Sequence, residues 1–165
     1  MSSIDDEIAA LRAQLAELTD RAELRDLFDR YVVSLDLIGE RDYGDDWFRT
    51  VFTDDARFSF PIGDHQGIEG FAAFQREARA RWARTHHVTA NHVVDIAGER
   101  AVLRAHQFAT HVHPGSEPLG SHFDVGGYYE VGAVRTSRGW RFDDVAFHVV
   151  WAAGEPLPSM AHVKY

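Results

Sequence analysis

Three histidines fall within seven positions of the stretch RTHHVTANHVV, residues 84 to 94: His86, His87 and His92. An imidazole there can bind a metal, move protons near neutral pH, or simply occupy a strand. The run alternates with period two, so it reads as a β-strand whose successive side chains face opposite ways. One face carries His87, Thr89, Asn91, Val93 and Asp95, which suits the wall of a polar-lined pocket. The other carries His86, Val88, Ala90, His92, Val94 and Ile96, which suits packing or a subunit contact. The rings therefore do not converge. His86 and His92 share a face but stand roughly 20 Å apart, too far to hold one ion. His87 can do acid–base chemistry only if a carboxylate reaches it. Asp36 is the candidate, because a carboxylate at the edge of an apolar helical stripe is costly to bury unpaired.

A second histidine pair raises the metal question again. HVHPGSE, residues 111 to 117, has the H-x-H-x-x-x-E spacing of the first cupin metal motif, and His111 and His113 share a strand face. A cupin places its second histidine motif on a distant strand pair, whereas here P-L-G-S-H follows at once in a hairpin turn. Half of the chain also reads as helix. No metal and no organic cofactor is expected.

Charge and composition narrow the function further. The net charge of −9 repels nucleic acid and anionic lipid. No apolar run approaches a membrane span, and the acidic, amphipathic start MSSIDDEIAALRAQ is unlike a signal peptide, so a cytoplasmic protein is expected. With no cysteine, thiolate catalysis, disulfides and zinc–thiolate sites are excluded.

The elements that must position Asp36 and His87 follow from periodicity. Ile4, Ile8, Leu11, Leu15 and Leu18 form a narrow helical stripe that must lie on its own domain or on a second subunit. Asp20 and Glu23 read as a capping box that starts a second helix, with Leu24, Leu27, Phe28, Tyr31, Leu35 and Ile38 facing the core. DYGDDWFRTVF reads as a short acid-capped helix, FTDDARFSFPIG as a turn and a strand, and IEGFAAFQREARARW as an amphipathic helix. Period two then marks strands near 85–96, 100–113, 121–136 and 140–152. Helices first and a meander after give an α+β domain, with helices on one face of a curved, mostly antiparallel sheet. The expected organisation is a single domain over 1–152, in which 1–19 is an added amphipathic helix, followed by a tail over 153–165.

Over roughly residues 20–152 the chain resembles the SnoaL-like branch of the nuclear-transport-factor-2-like superfamily. The resemblance rests on YVVSLD, the FTDDA turn, G-I-E-G, THHVTAN, the GGYYEV strand and the final GWRF strand ending in Trp151. It implies a cone of N-terminal helices packed on a strongly bent sheet around a pocket. Within the family the chain is similar to scytalone dehydratase and the bile-acid 7α-dehydratases, which implies catalytic roles for Asp36 and His87. The match to the bile-acid enzymes adds Tyr31. A second pocket histidine falls near His111, though only with a one-residue shift. Leu35, Phe58 and Phe60 replace tyrosines of scytalone dehydratase that hold a carbonyl-polarising water, so a different substrate is implied.

The chemistry these residues permit is proton removal next to a carbonyl. His87 would act as base, Asp36 would hold its tautomer, and Tyr31 or Tyr129 would donate to the enolate oxygen. That serves a dehydratase, a double-bond isomerase or a polyketide cyclase. The same pair would survive in a non-catalytic binding or dimerisation module. Phe28, Phe58, Phe60, Trp82 and Trp151, with Phe108 and Phe147, are expected to line the pocket for an apolar ring-bearing ligand, alongside Asn91, Tyr129 and His111. A dimer or trimer is expected, because Val88, Val94 and Ile96 on the outer sheet face need a partner.

Overall fold

The computed structural model describes residues 3–115 and 120–160. The chain opens with one helix, α1, running Ile4–Leu37. The expected break near residue 20 does not occur. The capping box lies at Ser3 and Asp6 instead, and Asp20 sits mid-helix. Nothing between residues 18 and 24 breaks a helix, and Thr19 turns its hydroxyl back onto the Leu15 carbonyl at 2.8 Å. Asp20 is spent on tertiary structure: it accepts from Arg135 at 2.9 and 2.5 Å and from the Trp140 indole at 3.1 Å. Together with the Arg21 bond to the Val94 carbonyl, this fastens the middle of α1 to the rim of the sheet.

After α1 come α2 (Asp45–Phe48), β1 (Phe52–Phe60), β2 (Gly63–Gln66), α3 (Phe71–Ala80), β3 (Arg84–Ala97), β4 (Arg100–Val112), β5 (His122–Thr136) and β6 (Gly139–Gly154). Strand β2 is the element that the pattern did not announce. It is four residues long and mostly exposed, so it carries no apolar alternation to read. The six strands lie in the order β2-β1-β6-β5-β4-β3, antiparallel throughout except for β1 beside β6. The C-terminal half of α1 lies against the inner face of this sheet, burying Leu24, Phe28, Tyr31 and Val32. Along β4 the inner face is Ala101, Leu103, Ala105, Gln107, Ala109 and His111, so small residues leave room for the aromatic rings of α1 and for a cavity.

Strand β3 departs from simple alternation. Its pairing with β4 shifts between Ala90 and Val93, and Asn91 takes φ 56°. This is a β-bulge, and it reverses the facing of every residue beyond it. Thr85, His87 and Thr89 face inward before the bulge; His92, Val94 and Ile96 do so after it. Three expectations change as a result. Asn91 is exposed and bonds His106 at 3.2 Å, outside the pocket. Val94 and Ile96 belong to the core, leaving only Val88 of the expected outer triad exposed. His92 turns in and packs edge-on against Phe28 at 5.8 Å.

Candidate active site

The site is built where the end of α1 meets the start of β3. Asp36 lies in the last turn of α1, and Thr85 and His87 project toward it from β3. The carboxylate accepts three hydrogen bonds: from the Thr85 hydroxyl at 2.7 Å, from the His87 backbone N–H at 2.9 Å, and from His87 Nδ1–H at 2.6 Å. Burial is the largest single influence on Asp36 and favours its neutral form. The His87 and Thr85 contacts together outweigh it and bring the pKa down to about 2. The carboxylate therefore stays charged and fixes one His87 tautomer, with the proton on Nδ1 and a lone pair on Nε2. No sequence motif marks Thr85. Its inward parity with His87 is the only signal that would have suggested it.

The His87 ring lines a cavity of about 130 Å³. Tyr31 and Leu35 of α1, Gln75, Arg79 and Trp82 of the α3 region, and Gln107, Ala109 and His111 of β4 share its walls. Tyr129, Phe147, Phe60, Phe123 and Met160 complete them. Met160 places part of the C-terminal tail in the cavity wall; residues 161–165 lie outside the described ones. Ala109 pairs directly with His87 across β3 and β4, which leaves space in front of the imidazole.

His111 reaches the cavity by the plain alternation of β4, with no shift in its pairing to β5. It pairs with Thr85, one inward position before His87, and the two imidazoles meet edge-on at 5.4 Å. Its Nδ1–H donates to the Phe123 carbonyl at 3.1 Å. Burial, then the neighbouring His87, pushes its pKa down to about 4. At neutral pH His111 is therefore an uncharged ring whose free Nε2 accepts a hydrogen bond. His113 instead bonds the Glu155 carbonyl at 2.7 Å. Glu117 lies outside the described residues, among which no group of three side chains could hold a metal ion.

Tyr31 and Tyr129 both line the cavity, and burial raises the pKa of each, so both phenols are neutral. The Tyr31 hydroxyl is buried beside the Tyr129 hydroxyl and the Gln75 amide, and the Tyr129 hydroxyl lies beside the Gln107 amide. Trp82 and Phe60 line the cavity. Phe28 and Phe58 do not, because they are core residues, 0% and 2% exposed. Phe28 packs on Tyr129 and Phe142, and Phe58 stacks on Phe71 at 3.9 Å. Trp151 is also excluded. A shift in the β5–β6 pairing at Gly126 sends it to the outer face, where it lies over Gly126 beside Phe108. Aromatic residue type alone did not distinguish core, cavity and outer surface. Gln75, Gln107 and Arg79 are cavity residues that no motif marked.

The model of the SnoaL-like domain family matches residues 16–146. The Kfla4162 protein from Kribbella flavida is 32% identical, with a TM-score of 0.71 over 83% of this chain and 95% of that one. Two more distant structures share the fold. One is a scytalone-dehydratase-like protein from Novosphingobium aromaticivorans, 16% identical, with a TM-score of 0.70 over 89% and 93% of the two chains. The other is a nuclear transport factor 2-like superfamily protein from Salmonella enterica, 19% identical, with a TM-score of 0.68 over 81% and 92%. No curated protein matches the chain. The helices on a curled sheet, the cavity between them and the family match agree: the chain belongs to the SnoaL-like domain family, with the nuclear-transport-factor-2-like fold.

Proposed function

We propose that the protein is a cofactor-independent dehydratase acting on an apolar, ring-bearing hydroxy-carbonyl compound. The observation that carries this reading is the orientation of His87. Its Nδ1–H is held by Asp36, so the opposite edge of a cavity-lining ring is a bare nitrogen base. His87 Nε2 removes the proton α to the carbonyl, and the bonding pair becomes the C=C of an enolate. The negative oxygen accepts from a neutral phenol, Tyr31 or Tyr129. The enolate then collapses and expels the β-hydroxyl, which takes the proton back from His87 Nε2 and leaves as water. Asp36 stabilises the intervening imidazolium. His111, uncharged, accepts from the substrate hydroxyl and orients it. Because one nitrogen takes the proton and returns it, hydrogen and hydroxyl leave from the same face.

A panel of bicyclic β-hydroxy ketones tests the reading through the absorbance of the conjugated product. Wild type is expected to eliminate water from at least one member, and His87→Gln to lower that rate 10²-fold or more. Turnover by His87→Gln at the wild-type rate would overturn it.

A further inference from the structure

The apolar stripe on the first half of α1 is left uncovered by the described residues. Ile4, Ile8, Leu11, Leu15 and Leu18 are 76, 41, 64, 65 and 65% exposed. They form one continuous stripe on an arm roughly 22 Å long at 1.5 Å per residue. At 100° per residue this stripe lies on roughly the opposite side of the helix from Leu24, Phe28, Tyr31 and Val32, which face the sheet. The arm's apolar face therefore points away from its own domain. The Asp20–Arg135–Trp140 anchor and the Ser3–Asp6 capping box hold the arm's two ends in helix. A partner meets a preformed surface, with no helix left to nucleate.

We propose that this arm pairs with the arm of a second copy of the chain as a short parallel coiled coil. The 4-3-4-3 spacing puts Ile4, Leu11 and Leu18 at d positions and Ile8 and Leu15 at a positions, a seam of two strands. The flanking positions carry the sequence of a self-complementary pair. Glu7 at g stands opposite Arg12 at e of the second copy, and the symmetry of the dimer makes the same contact twice. The next g–e contact, Gln14 to Thr19, is neutral, so no like charges oppose each other across the seam. In an antiparallel pairing centred on the same stripe, Arg12 would meet Arg12. The parallel arrangement puts both domains at the same end of the coil, with their cavities outside it.

Sedimentation equilibrium of the full chain at pH 7 tests this. Wild type is expected to sediment at twice its 18.6 kDa mass. Leu11→Gln/Leu15→Gln, which keeps helix-forming residues, is expected to weaken association at least 10-fold while its urea midpoint for the domain stays at the wild-type value. Glu7→Arg is expected to weaken it several-fold, and Glu7→Arg/Arg12→Glu to restore it. A monomeric wild type would overturn the proposal. So would a Leu11→Gln/Leu15→Gln variant that associates as wild type does, which would move the interface to the outer sheet face around Val88, Phe108 and Trp151. Failure of the double charge reversal to restore association would overturn the parallel register.

Discussion

Burial disfavours the charged form of both Asp36 and His111, but their surroundings differ. Asp36 is compensated by three donors and ionises at about 2, below the ordinary carboxyl value near 4. The unfolded chain therefore takes up this proton first as pH falls. The stability that Asp36 contributes is present above roughly pH 4 and is lost as pH drops toward about 2. Urea unfolding of Asp36→Asn is expected to show a flatter acid limb than wild type over that window. At His111 the Phe123 carbonyl and the nearby Asp36 and Asp124 charges do not offset burial and the neighbouring His87, and the ring stays neutral down to about 4, against an ordinary histidine value near 6.5. Here too the unfolded chain protonates first, so stability falls between roughly pH 6.5 and 4. His111→Gln is expected to lose less stability than wild type between pH 7 and pH 5 in the same measurement. The sequence disclosed Asp36 and His87 because strand parity and the cost of a buried carboxylate pointed to them independently. It did not disclose Thr85 as the third donor, since a threonine in a strand carries no signal of its own.

At the scale of elements, one bulge accounts for most of what the pattern mistook. Alternation read from His86 to Ile96 assumes an unbroken ladder, and the extra residue at Asn91 turns the second half of β3 over. Asparagine tolerates left-handed backbone better than most residues, and φ 56° is the reason for its presence here. Asn91→Gly is expected to change unfolding free energy by less than about 0.5 kcal/mol, whereas Asn91→Val should cost about 1–2 kcal/mol. Equal effects of the two in urea titrations would remove the conformational explanation. The uninterrupted α1 has a comparable origin. Asp20 and Glu23 have the spacing of a helix start, but Asp20 is claimed by Arg135 and Trp140, which lie more than a hundred residues away. Local spacing cannot announce a partner at that distance.

For the whole molecule, the layered arrangement was legible because helices and strands separate cleanly along the chain, and the cavity follows from packing a helix against a bent sheet. Which aromatic rings line that cavity was not legible, because it depends on the register shifts at Asn91 and Gly126. The proposed base is a single nitrogen, His87 Nε2, so its action can be tested without knowing the natural substrate. The measurement is hydrogen–deuterium exchange at the carbon beside the carbonyl of 2-tetralone, an apolar bicyclic ketone, in D₂O with wild type and His87→Gln. Wild type is expected to accelerate exchange about 10²-fold or more over His87→Gln, with the two variants equally folded. Exchange at the same rate with both proteins would contradict proton removal by His87.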